Sequence, residues 1–229
     1  MSKSIVVVGF GPGISTSVAE KFGAAGFAVA LVARNEDRLD AGVLALKAKG
    51  VVAVAFAADA ANPAAIREAI GKARAALGAV TVLHWNAFGG AEMGDLLTAD
   101  AAQVRTIFDV AVGGLLAAVQ ETLPNLKSTP EGAVLVTNGA FGEVTSQMDA
   151  YAIGLKAAGV ALANAAKHKL VGLLAQRLKG EGVYVGEVMV AGAIKGTPSA
   201  TGQTIEGSAV AEKFWELYQA RGEVRARVS

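Results

Sequence analysis

Residues 6–15 read VVVGFGPGIS, and this stretch decides the fold. Ile5-Val6-Val7-Val8 is a continuous β-branched run, the pattern of a strand buried on both faces. Gly9-Phe10-Gly11-Pro12-Gly13 then turns the chain. From Ile14 the apolar spacing becomes helical, with Val18, Phe22 and Ala25 on one side. Strand, glycine turn and helix in this order form a dinucleotide-binding element. Glycines let the backbone approach a pyrophosphate, and the helix N-terminus offers it free N–H donors and the positive end of a dipole. A glycine turn also serves any tight bend; its position between a buried strand and an amphipathic helix favours the nucleotide site.

Outward from this element, strand and helix periods alternate to the end of the chain. Strands are predicted at residues 27–33, 51–57, 80–85, 133–137 and 183–190, with residues 223–228 as an edge strand. Helices are predicted from Arg34 to a Lys49-Gly50 stop, from Pro63 behind the N-cap Asn62, and over residues 100–126, 151–178 and 208–220. The fold class is α/β: one doubly wound Rossmann domain over residues 1–229, a parallel sheet of about seven strands with helices on both faces. Ligands of such sheets sit beyond the carboxyl ends of the strands. Residues 9–14, Arg34, Asp59, residues 86–89, 137–142 and 191–197 all fall there. Residues 191–206, rich in Gly, Thr and Ser, read as a lid loop.

Composition narrows the function. A formal net charge of +1 gives no general attraction to nucleic acid or an anionic membrane. There is no cysteine, and His84 and His168 make no metal motif, so no metal site is expected. Neither a signal peptide nor a membrane span is read in the sequence, which points to a cytoplasmic protein. The helices predicted at 100–126 and 151–178 are apolar on more than one face, which predicts a homodimer or homotetramer.

The ordered motifs resemble the short-chain dehydrogenase/reductase family over nearly the whole chain. Its Thr-Gly-x-x-x-Gly-x-Gly motif maps onto Val8 to Ser15, with Gly9 and Gly13 matching, Gly11 inside the turn, Val8 for the threonine and Ser15 for the last glycine. Asp59 resembles the aspartate that bonds the adenine ring. Asn86-Ala87, flanked by Trp85 and Phe88, resembles the Asn-Asn-Ala-Gly motif. Ala191-Gly192 resembles a Pro-Gly pair, and Ile194 and Thr197 match the residues that follow it against the nicotinamide carboxamide. The resemblance implies a nicotinamide cofactor held by Gly9, Gly11, Gly13, Ile14, Asp59, Asn86, Ala87, Phe88, Gly192 and Ile194.

The end of the second strand bears on which cofactor. An acid there would accept the ribose 2′-hydroxyl of NAD. Ala33 and Arg34 stand there instead, and an arginine pairs with a 2′-phosphate and stacks on adenine, so NADP is favoured over NAD. Arg34 also fits a solvated first-turn side chain. Arg38, one turn on, fits either a second phosphate partner or a surface charge.

The family's proton-delivery residues are largely replaced. The family uses a Tyr with a Lys four residues later on one helix face, the ammonium lowering the phenol pKa. A serine after the fifth strand and an asparagine in the preceding helix complete the set. Here the asparagine slot is Ala111, and the serine slot is Gly139 beside Asn138. Lys156 is the best lysine, with Lys167 as a second register; four residues before them stand Ala152 and Ala163. Tyr151 is five residues before Lys156, off its helix face. Three readings stay open. In one, Tyr151 is a displaced acid, with Asn138, Thr137 or Ser146 orienting the substrate. In another, Lys156 only holds cofactor ribose while water or substrate supplies the proton. In the third, the chain is a non-catalytic NADP(H)-binding sensor or oligomer partner. The substrate class implied for an active enzyme is a carbonyl or alcohol.

Overall fold

The structure, a computed structural model, describes residues 3–89, 93–197, 200 and 202–229. The chain runs β1 (Ser4–Val8), α1 (Ile14–Ala24), β2 (Ala28–Ala33), α2 (Glu36–Ala48), β3 (Ala53–Ala57), α3 (Pro63–Leu77) and β4 (Val82–Trp85). The second half continues with α4 (Ala101–Phe108), α5 (Leu115–Ser128), β5 (Ala133–Gly139), α6 (Ser146–Gly154), α7 (Ala158–Leu178), β6 (Tyr184–Val190), β7 (Ala193–Ile194), β8 (Thr204–Ile205), α8 (Gly207–Ala220) and β9 (Arg225–Val228). Seven strands form one sheet in the order β3-β2-β1-β4-β5-β6-β9, every neighbouring pair parallel. The expected doubly wound α/β fold is therefore the observed one, with the tail as its edge strand.

The strand order reverses between β1 and β4, so a crevice opens at their carboxyl ends. Both faces of the sheet are sealed by apolar side chains, as a parallel sheet requires. Val18 and Phe22 of α1 and Phe214 of α8 cover one face with Ile5, Val7 and Leu31. Ile66 and Ile70 of α3, Leu115 of α5 and Val171 of α7 cover the other with Val6, Val8 and Leu83. Asn62 caps α3 as the sequence suggests; Asn35, inside the stretch read as the start of the second helix, proves to be the cap of α2, and both side chains accept from backbone N–H groups.

Three features depart from expectation. The helix expected at 100–126 is interrupted by a π-helical stretch, Asp109–Gly114, between α4 and α5. The run Ala101–Ser128 is long and apolar enough to cross a membrane by length and composition alone, and its α5 part packs on α3 and β4. The helix expected at 151–178 breaks in two, with Lys156 at φ 54° in the turn between α6 and α7. The break leaves helix-end carbonyls to be satisfied, and one of them is taken by the N–H of Ala157 donating to the Ala152 carbonyl at 2.8 Å. In the expected lid, β7 and β8 form a short parallel pair, while residues 198, 199 and 201 lie outside the described residues.

Candidate functional site

The glycine turn is built around close approach. Gly9 has φ 84°, and a Cβ there would stand 2.4 Å from the Ala87 nitrogen. No other residue type lets the end of β1 lie against the end of β4. Asn86 fastens the two: its N–H donates to the Val8 carbonyl at 2.8 Å and its Nδ2 donates to the Gly9 carbonyl at 3.2 Å. Asn86 Oδ1 is buried without a hydrogen-bond partner. Gly13 has φ 88°, and a Cβ there would meet Ile194 Cγ2 at 2.6 Å. The segment after β6 thus rests on the glycine turn, and its Ile194 is buried while Gly192 is exposed.

The N-terminus of α1 differs from those of α2 and α3 in having no side-chain cap. Its first-turn N–H groups are left for an anion, the property a pyrophosphate site needs. Ser15, in place of the family's last glycine, turns inward and is fully buried. Its Oγ accepts from the Gly11 N–H at 2.8 Å and donates to the Gly11 carbonyl at 2.9 Å. It braces the turn rather than reaching out of it. Ile14 is half-buried behind it against the core.

At the end of β2, Arg34 and Arg38 are both exposed, and neither pairs with a carboxylate among the described residues. Arg38 Nη1 lies 3.7 Å from where a Cβ on Gly11 would stand, so the guanidinium borders the turn. Asp59 is exposed after β3, its Oδ1 accepting from the Ala61 N–H at 3.0 Å. Phe88 is 71% exposed beside the buried Ala87.

The other half of the cleft is arranged differently. Tyr151 and Lys156 do not meet as an acid and its lysine: Tyr151 is 57% exposed and stacks on Phe141, ring centroids 5.6 Å apart. Lys156 is exposed in its left-handed turn, past the end of α6. The helix break is the reason, since i and i+5 no longer share a helix at all. Tyr151 lines a groove of about 550 Å³ with Glu143, Thr145, Gln147, Met148 and Arg227, at the β9 side of the sheet and away from the glycine turn.

Asn138 turns into the protein. It is 2% exposed; its Nδ2 donates to Glu187 Oε1 at 2.7 Å and to the Asn164 carbonyl at 3.0 Å, and its Oδ1 accepts from the Gly139 N–H. With its amide fully used, it has nothing left for a substrate in this arrangement. Thr137 is likewise committed, its Oγ1 lying 3.0 Å from Nε2 of the buried His84. Burial holds His84 neutral, its pKa pushed down to about 3.

Glu187 on β6 is the centre of a buried polar cluster. Arg225 Nε donates to its Oε2 at 3.0 Å. His168 Nδ1 is 2.9 Å from the same oxygen, within ion-pair reach but out of line for a hydrogen bond. Lys167, also buried, is pushed down to about 8 by desolvation, with the Glu187 charge opposing that shift. Lys167 therefore belongs to the protein interior rather than to the cleft surface.

The residue that meets the serine slot is one the sequence reading passed over. Neither Lys156 nor Lys167 approaches Gly139; Asn164, between them on α7, does. A Cβ on Gly139 would stand 2.5 Å from Asn164 Nδ2. Four residues earlier on the same helix is Val160. The available signal was one asparagine inside the alanine-rich run Ala161-Leu162-Ala163-Asn164-Ala165-Ala166. Ala111, in the asparagine slot, is buried in the π-helical stretch.

Comparison with known proteins agrees with this architecture. The family model described as short chain dehydrogenase matches residues 3–202. The 3-oxoacyl-(acyl-carrier-protein) reductase of Staphylococcus epidermidis is 28% identical over 171 residues, 74% of this chain and 70% of that protein. A short chain dehydrogenase of Pseudocercospora fijiensis is 30% identical over 183 residues, 79% of this chain and 56% of that protein. Among solved structures, a short chain dehydrogenase of Burkholderia cenocepacia in complex with NADP superposes with a TM-score of 0.83 at 22% identity, covering 99% of this chain and 96% of that one.

Proposed function

This chain belongs to the short-chain dehydrogenase family, and from that premise we propose that it binds NADP(H) and acts on a carbonyl or alcohol by a site without the usual tyrosine and lysine. The observation that carries the cofactor half is the fit of the residues to a dinucleotide. Gly9 and Gly13 take positive φ and let the turn pack against Ala87 and Ile194, where a Cβ would clash, α1 has an uncapped N-terminus, and Arg38 borders the turn with no carboxylate partner among the described residues. Gly9, Gly11, Gly13 and Ile14 would hold the pyrophosphate; Arg34 and Arg38 would hold the 2′-phosphate; Asp59 would meet the adenine. Ala87, Phe88, Gly192 and Ile194 would border the nicotinamide end, and Asn86 keeps that wall in place. When bound, the nicotinamide carries the hydride.

The test is a pair of titrations. NADPH is expected to bind more tightly than NADH, and Arg34→Ala is expected to cost NADPH about tenfold or more in affinity, the scale of one charge-assisted contact, with NADH nearly unaffected. Equal losses for both cofactors would overturn the phosphate assignment.

A second reading, a non-catalytic NADP(H)-binding sensor or oligomer partner, is favoured by the outward stacking of Tyr151 and the exposure of Lys156. Cofactor oxidation with a panel of carbonyl compounds separates the two. The panel should include 3-oxoacyl thioesters, because a relative is named as a 3-oxoacyl reductase. Exposed apolar side chains on the long helices, Phe108, Leu162 and Leu173, support a homodimer or homotetramer. A monomer at micromolar concentration by light scattering would remove that part.

A further inference from the structure

At the carboxyl end of β5 the protein leaves one nearly buried polar side chain without a partner. Asn164 is only 5% exposed. Its backbone carbonyl accepts from Asn138 Nδ2, but its side-chain amide makes no hydrogen bond among the described residues. The amide is not among the fully buried side-chain atoms that lack a partner, so its polar end keeps contact with solvent and is open to an incoming acceptor. The other polar groups at this end of β5 are satisfied internally: Thr137 by His84, and Asn138 by Glu187.

The position of that amide is specific. The Asn164 side-chain nitrogen lies 2.5 Å from where a Cβ on Gly139 would stand. A serine at 139 would put its side chain into the volume the Asn164 amide occupies. Glycine at 139 and asparagine at 164 are therefore one arrangement, in which a donor group reaches the same place from the helix instead of from the strand. The end of the amide assigned as nitrogen carries two N–H donors and no charge.

We propose that Asn164 donates a hydrogen bond to the carbonyl or alcohol oxygen of the substrate, taking over from α7 the positioning that a serine on β5 would perform. The ligand is a neutral oxygen acceptor of the ketone class. This rests on the NADP(H)-dependent reading above. Val160, four residues back, adds an apolar wall and no acid, so the role of Asn164 is to position and polarise that oxygen.

The experiment uses full-length ¹⁵N-labelled protein loaded with NADP⁺ and titrated with ethyl acetoacetate, a small neutral 3-oxo ester. The side-chain amide signal of Asn164, assigned by its loss in Asn164→Asp, is expected to shift on titration. Asn164→Ala is expected to weaken ethyl acetoacetate tenfold or more while NADPH affinity stays within twofold. Gly139→Ser/Asn164→Ala is expected to regain most of that loss, because the serine then has room; Gly139→Ser alone is expected to gain nothing. An unmoved Asn164 signal, an Asn164→Ala variant that binds the ester as wild type does, or a double variant no better than Asn164→Ala overturns the assignment. Wild-type protein that takes up no NADPH overturns the parent reading instead, and that result is read before any ester is added.

Discussion

The two halves of the cleft are built on opposite terms. Around β1 and β2 the backbone is held open: Gly9 and Gly13 take positive φ, α1 is left without a side-chain cap, and Arg34 and Arg38 have no carboxylate partner among the described residues. Around β5 and β6 the polar side chains are closed on one another, Asn138 on Glu187, Thr137 on His84, Arg225 on Glu187. Unspent hydrogen-bonding capacity marks the half fitted to a ligand, and spent capacity marks the half that has become part of the core. Within the second half the Asn164 amide, with no hydrogen bond among the described residues, stands at the position of the serine slot, which is why it carries the inference above.

The contrast is broken most severely at Glu187. Replacing Glu187 by Leu leaves Lys167 and Arg225 without their buried counter-charge, and a loss of about 3–5 kcal/mol in unfolding free energy is expected by urea denaturation. A loss below 1 kcal/mol would mean the cluster is not the internal support described here.

Gly9→Ala attacks the open half. Its Cβ would press on the Ala87 backbone at a φ that L-residues rarely adopt, so about 2–4 kcal/mol of stability and measurable NADPH binding should both be lost. NADPH binding that survives unchanged would show that the β1–β4 contact does not shape the cofactor site.

Acid sharpens the comparison on the closed side. The folded pKa of His84 is depressed to about 3, below its unfolded value, so its contribution is full above about pH 6.5 and is lost as pH falls toward 3. At pH 5 that loss is about 2 kcal/mol relative to pH 7. Denaturation curves at the two pH values should differ by that much less in His84→Leu, and an identical pH dependence in the variant would remove His84 as the cause.

The smallest effect is expected at Tyr151. Tyr151→Phe keeps the stack on Phe141, so stability should change by less than about 0.5 kcal/mol and turnover with any active carbonyl by less than about twofold. A drop of about a hundredfold, the scale of a general acid, would instead establish Tyr151 as the proton donor.

The glycine-turn half was legible as structure because its requirements are local. A β-branched run, glycines at a turn and a helical period lie within one stretch of chain, and each constrains the backbone directly. The half around β5 and β6 was not legible because its residues are brought together from separate elements. Tyr151 and Lys156 are near in sequence, but the break between α6 and α7 separates them. Gly139 and Asn164 are far apart in sequence and meet only when α7 packs on the end of β5. Asn138 read as a free amide beside the serine slot; only the presence of Glu187 on the neighbouring strand turned it inward.

Sequence alone determined the parallel sheet, its helical cover and the glycine turn at the first crossover, since hydrophobic period and glycine placement act over a few residues. Tertiary structure decided which polar groups remain free to bind. Satisfaction of an amide or a carboxylate depends on what stands beside it in space, and here that was set by how α7 and β6 pack against β5.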